Sequence, residues 1–353
     1  MTLEIVWFCL IAVLWSGYFL LEGFDFGVGM LVPALARDDA DRDDLFETIG
    51  PVWDGNEVWL VVAAGATLAA FPAWYATMFS SLYLILLLIL VCLILRAVAF
   101  EWRTKADGRR WRATWLAASI GASFGAPFLW GIALSNLLFG LPLDADGHFT
   151  GGVEDLFSPY TVAAGLVVVA LFAFHGSTFL VLRTAGALYD RAATATRTLA
   201  LIAAPLTIGF LAWTVAVAVD RNQRGALGPA VPAVAGGLAV LVAAVCSRRG
   251  RSGWAFAMTA VATVGWTATL FTALYPRVLV SDPTFANSLT VSGAAAEHYA
   301  LTVITVVAAV FTPLVVLYQG WTYHVFRHRV GGGRDGAVAT SATAAAEVRP
   351  AAH

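Results

Sequence analysis

The chain has 353 residues, 59% of them hydrophobic and only 12% charged, with a formal net charge of −2 and a mean hydropathy of +0.78. A soluble domain carries about twice that charged fraction, so the composition describes an integral membrane protein. It excludes a nucleic-acid binder, since there is neither a basic surplus nor a basic stretch with interleaved aromatics.

Taken in chain order, apolar runs fall near residues 3–22 (extending toward 35), 52–71, 75–100, 114–140, 159–182, 199–219, 230–247, 254–275 and 298–326. Each is close to the ~20 residues that a helix needs to cross a bilayer. The expected fold is all-α and polytopic, with about nine transmembrane helices within residues 1–328. No Lys or Arg precedes Arg37, so the first run lacks the basic region of a signal peptide and reads as a retained span. Residues 329–353 are rich in Gly, Ala and Thr and read as a disordered tail. Basic residues set the orientation. With the N-terminus outside, seventeen Lys and Arg fall in inner loops and the tail, against three (Arg221, Arg224, Arg277) in outer loops. The tail is then cytoplasmic, and the acidic loop 141–158 lies outside.

Carboxylates crowd into apolar sequence at two places. Glu22 and Asp25 close the first run, and Asp54 and Glu57 open the second beside Trp53, Asn56 and Trp59. Residues three apart share a helix face, and an ionisable group at mid-membrane costs at least ~2.5–3.5 kcal/mol. Both pairs should therefore face protein. Asp54 and Glu57 have two readings: acids that favour a helix N-terminus, or a proton carrier at Asp54 kept from water by Trp53 and Trp59. For Glu22 and Asp25 the simpler account is close packing through Gly23-x-x-x-Gly27, with Asp25 bonded across to Asn56 or to the backbone of the second span. Arg96, five residues before Glu101, either snorkels to the headgroups or neutralises a buried carboxylate. Snorkelling is the first expectation.

Three cysteines, Cys9, Cys92 and Cys246, form no C-x-x-C pair and suggest neither a disulfide framework nor a zinc site. His175 has no clear partner span, and His324 and His328 sit near a membrane interface. A bis-histidine haem would need two ligands in facing spans, so this chain is expected to bind no haem or metal directly. No P-loop, G-x-S-x-G or H-E-x-x-H is present, leaving no complete active site in this chain alone.

Gly23-Phe-Asp-Phe-Gly-Val-Gly29, followed by Pro51-Val-Trp-Asp-Gly-Asn-Glu-Val-Trp59, resembles subunit II of the cytochrome bd quinol oxidases. So do Arg96-Ala-Val-Ala-Phe-Glu-Trp-Arg103, Ser135-Asn-Leu-Leu-Phe-Gly140 and Asn287-Ser-Leu-Thr290. Ala97 stands where the family has proline. The resemblance covers about residues 1–328 and implies a multi-pass protein of the bacterial cell membrane, the small subunit of a respiratory terminal oxidase. It implies a heterodimer with a large subunit (subunit I) that carries two b-type haems and one d-type haem, oxidises quinol and reduces oxygen to water. It further implies a proton path through Asp54 and Trp53, with Glu57 and Asp25 as partners. Glu22, Asn56, Arg96 and Glu101 would then be structural or interface polar groups. A structural quinone, surrounding lipids and an additional small single-span subunit are compatible with it. The alternatives are an ion or solute transporter coupling through the carboxylates, for which no inverted repeat is evident, and a purely structural membrane partner.

Overall fold

The computed structural model describes residues 2–106 and 108–330. The tail expected to be disordered therefore lies, from Gly331 onward, outside the described residues. The chain runs α1 (Leu3–Leu35), α2 (Asp39–Ile49), α3 (Trp53–Ala70), α4 (Pro72–Ser81), α5 (Tyr83–Trp102), α6 (Arg109–Phe139), α7 (Pro159–Arg183), α8 (Gly186–Arg221), α9 (Leu227–Arg248) and α10 (Ser252–Leu274). Two short strands follow, β1 (Arg277–Leu279) and β2 (Leu289–Thr290), then α11 (Val291–Ala294) and α12 (His298–Val325). The strands pair antiparallel, Arg277 opposite Thr290 and Leu279 opposite Leu289.

Among the described residues eight helices are long and apolar enough to cross a membrane: α1, α5 to α10, and α12. The stretch expected to be a ninth span is helical as α3, but its first turns carry Asp54, Asn56 and Glu57, and it offers no membrane-length stretch as apolar as those in the other eight. Two expectations needed revision. The run over 75–100 is not one helix but two, α4 and α5, broken at Leu82. The loop after α1 contains a helix of its own, α2, capped by the Asp38 carboxylate, which accepts from the Asp41 N–H at 2.8 Å. Proline accounts for the break between α3 and α4. Pro72 occupies the first turn of α4, where its fixed φ suits a helix start and its missing N–H costs nothing.

At the centre is α7, which packs against α1, α6, α8 and α10. Small residues let it approach its neighbours. A Cβ at Gly27 would lie 2.0 Å from the Phe172 carbonyl oxygen and 2.8 Å from the Gly176 Cα. Without a hydrophobic drive between helices in lipid, such backbone contact is a main source of association. The packing role expected for Gly23 and Gly27 is thus present, Gly23 lying against the Phe172 ring. By contrast α12 is attached at the periphery. Trp7 Nε1 donates to Thr305 Oγ1 at 2.9 Å, and Arg183 Nη1 donates to the Phe326 carbonyl at the far end.

Candidate functional site: a buried carboxylate cluster joined by four helices

Glu22 and Asp25 are both fully buried on α1, one helical turn apart. The close α1–α7 packing removes water from this part of α1, so each carboxylate depends on groups from elsewhere in the protein. Glu22 receives it from α5, where Arg96 Nη1 pairs with Glu22 Oε1. The guanidinium carbon also sits 4.4 Å from the Phe26 ring centroid, and Arg96 is itself only 2% exposed. Arg96 does not snorkel to the headgroups. A fully buried acid on α1 supplies the partner, and an unpaired charge there would cost several kcal/mol.

Asp25 receives its partner from α3. Asn56 Nδ2 donates to Asp25 Oδ2 at 2.7 Å, the contact expected from the sequence. The Asn56 carbonyl oxygen is in turn held from α12, accepting from Gln319 Nε2 at 3.0 Å and from the Tyr323 hydroxyl at 2.7 Å. Helices α1, α3, α5 and α12 thus meet in one polar cluster. Four buried atoms in it, Glu22 Oε2, Asp25 Oδ1, and Arg96 Nε and Nη2, have no hydrogen-bond partner among the described residues. Buried polar atoms are normally hydrogen-bonded, so this cluster is an exception within the bundle.

The second pair of acids is placed differently. Asp54 is exposed and Glu57 half-buried. The expectation that Trp53 and Trp59 keep water from Asp54 is not met. Trp53 stacks on Phe100, centroids 5.1 Å apart and rings nearly parallel, while Trp59 packs over Gly17 of α1. Both rings turn inward and leave Asp54 on the open surface of α3. Glu57 interacts electrostatically with both Asp54 and Arg96, linking the surface acid to the buried cluster. Glu101, at the end of α5, is exposed and takes no part in the Arg96 pair.

Sequence reasoning missed Gln319 and Tyr323. The signal was available: two side chains that can hydrogen-bond, four apart, lie on one face of a helix that is largely apolar over its length.

Both ring nitrogens of the buried His175 are engaged, Nδ1 with Thr259 Oγ1 at 2.8 Å and Nε2 with the Leu20 carbonyl at 3.1 Å. A carbonyl can only accept, so Nε2 carries the proton and Nδ1 accepts from the threonine hydroxyl. That is a hydrogen-bonded structural histidine between α7, α1 and α10. At the loop end, Asp144, Asp146 and His148 have ligand-type atoms within 4.8 Å of one another. Asp144 Oδ1 accepts from the backbone N–H groups of His148 and Asp146. Those bonds, the one from His148 first, hold its carboxyl below the usual range, as a turn-forming aspartate requires.

A polytopic helical membrane protein whose buried carboxylates are held by groups from neighbouring helices is what this geometry defines. The family model for cytochrome bd terminal oxidase subunit II matches residues 3–326. The chain is 38% identical over 330 residues to cytochrome bd ubiquinol oxidase subunit 2 of Bacillus subtilis (strain 168), spanning 93% of this chain and 97% of that one. It is 33% identical over 358 residues to cytochrome bd-I ubiquinol oxidase subunit 2 of Escherichia coli (strain K12), spanning 91% and 93%. Its fold matches a chain of the bd oxidase from Geobacillus thermodenitrificans with a TM-score of 0.66 at 21% identity, covering 92% and 99%. The chain belongs to the cytochrome bd terminal oxidase subunit II family and is a multi-pass protein of the bacterial cell membrane. None of these likenesses supports the transporter reading.

Proposed function

We propose that this chain pairs with a haem-bearing subunit I in a quinol:oxygen oxidoreductase, and that it carries protons from the cytoplasmic side toward the site of oxygen reduction. Reduction of one O2 to two waters consumes four protons, which must cross low-dielectric protein to reach buried haem. The entry point is Asp54. Glu57 stands one turn further along the same helix, four residues after Trp53 and so on its side of the helix, and the cluster of Glu22, Arg96, Asp25 and Asn56 leads inward. The observation that carries this reading is the gradation itself. An exposed acid, a half-buried acid and fully buried acids lie in succession, interacting with one another electrostatically. The exposure of Asp54 supports the pairing as well. A carboxylate on a membrane helix is costly against lipid, so the face of α3 that bears it is suited to burial against a partner or a hydrated path. In this reading two b-type haems and one d-type haem belong to subunit I, quinol is the electron donor, and lipids, a structural quinone and a small single-span subunit are compatible neighbours.

Asp54→Asn tests the route, because it keeps size and hydrogen bonding but cannot titrate. The purified complex should show normal haem spectra, while quinol-driven oxygen uptake per haem falls about tenfold, equivalent to ~1.4 kcal/mol of barrier. Wild-type rates for the assembled variant at every pH would reject an obligatory role. Direction is tested separately, the N-terminus being outside and the tail cytoplasmic. A membrane-impermeant thiol reagent should label a cysteine replacing Asp146 in intact cells but not one replacing Arg110. The reverse pattern would put the acids on the outer side.

A further inference from the structure

At the end of the bundle opposite the carboxylate cluster, the first turns of α1, the start of α9 and the end of α10 enclose a cleft of about 330 Å³. Its walls are apolar, with Phe8, Cys9 and Ala12 on one side and Phe271 and Tyr275 on the other. One lining residue is charged: Arg224, in the connection between α8 and α9. Its guanidinium lies over the Tyr275 ring, 5.3 Å from the centroid, and a Cβ at Gly228 would stand 3.2 Å from its Nη2. Glycine at 228 therefore leaves the space that the guanidinium occupies. The Arg224 Nε is buried without a hydrogen-bond partner, and its side chain forms no ion pair among the described residues. The Thr272 hydroxyl is already committed to the Ala268 carbonyl at 2.6 Å.

We propose that this cleft binds one anionic phospholipid, its phosphate on Arg224 and an acyl chain along Phe8, Cys9 and Phe271. The volume is at the lower end of ordinary ligand pockets, enough for a segment of one chain. The chemistry of the two ends selects the occupant. A guanidinium without an ion-pair partner at the end of membrane helices offers charged N–H donors that match a phosphate oxygen. A neutral quinone head would leave that charge unanswered. Free phosphate would leave the apolar walls uncovered.

Cys9 is exposed and lines the cleft, so its alkylation rate reports occupancy directly. The experiment uses the purified complex with subunit I, delipidated in detergent, with the alkylation of Cys9 followed by peptide mass spectrometry apart from Cys92 and Cys246. Added phosphatidylglycerol should slow Cys9 alkylation about fivefold or more once it exceeds its dissociation constant several times over. Phosphatidylcholine and inorganic phosphate should not. Arg224→Gln should abolish the protection and Arg224→Lys should retain most of it, with unchanged haem spectra showing that each complex is assembled. Equal protection by both lipids, protection surviving Arg224→Gln, or protection by phosphate alone would overturn the proposal. So would a Cys9 that is unreactive even without lipid, or a co-purifying quinone whose removal alone exposes it.

Discussion

The two acid pairs read almost alike in sequence: two carboxylates three apart, at the end of one helix and the start of the next. Folding separates them. Glu22 and Asp25 lie on the α1 face that packs into the bundle, so each had to acquire a partner from another helix. Asp54 and Glu57 lie on α3, at the edge, where neighbouring tryptophans fold inward and leave the acids toward the surface. The difference comes from the helices that carry them. In its most apolar window, α1 has 39% of residues buried in the bundle. On α3 only four residues are buried, and Asn56 is the one that reaches the cluster. Equal spacing thus yields two environments: an interior pair held by counter-groups from other helices, and a pair at the edge of the bundle with one member exposed.

The sharpest way to break that comparison is to remove one counter-group. Arg96→Met leaves Glu22 buried and unpaired, a situation that costs about 3–5 kcal/mol. The expected result is a large drop in yield and in the thermal midpoint of the purified complex. Replacing both partners, Glu22→Leu with Arg96→Leu, should recover much of the loss, since a buried pair is often neutral against apolar residues of similar volume. Asp54→Ala, on the exposed side, should change stability by no more than about 0.5 kcal/mol. Equal losses for Arg96→Met and Asp54→Ala would erase the distinction between the two pairs.

The membrane class, the positions of the long helices and the crowding of carboxylates at two places were all legible in the sequence, because apolar run length and charge rarity in such runs are one-dimensional signals. The Gly23–Gly27 packing face was legible for the same reason. Pairing was not. Arg96 and Glu22 are 74 positions apart, and nothing in either local stretch says that α5 lies against that face of α1. Snorkelling seemed the cheaper outcome only because the acid across the gap was invisible. Burial of Asp54 was misjudged for a related reason: a flanking tryptophan covers its neighbour only if its ring turns that way, and Phe100 and Gly17 offered Trp53 and Trp59 better contacts. The Pro72 helix start was readable as a tight connection, whereas the break at Leu82 carries no Gly or Pro to announce it.

The smallest expected effect concerns the link between the cluster and the periphery. Within its most apolar window α12 has only 6% of residues buried, against 78% for α7. Apart from Leu301 and a few residues beside it, its attachment is through polar contacts, and two of them converge on the Asn56 carbonyl oxygen. Tyr323→Phe keeps the ring and deletes one donor, while Gln319 still satisfies the oxygen. The loss should be that of a single hydrogen bond, about 0.5–1.5 kcal/mol. Because α12 has little apolar burial to share the load, the loss should appear as local opening rather than global unfolding. Hydrogen exchange of the backbone amides near residues 319–325 in the assembled complex should quicken by about two- to twelve-fold, which is that energy converted at 1.4 kcal/mol per decade. Amides of α7 should not change. Gln319→Leu combined with Tyr323→Phe should quicken exchange further, since Asn56 then loses both donors and its own bond to Asp25 is no longer held from behind. If α12 exchange is unaltered in the single variant, the helix is held by the partner subunit instead of by the carboxylate cluster. The surface and interior regions would then be mechanically independent.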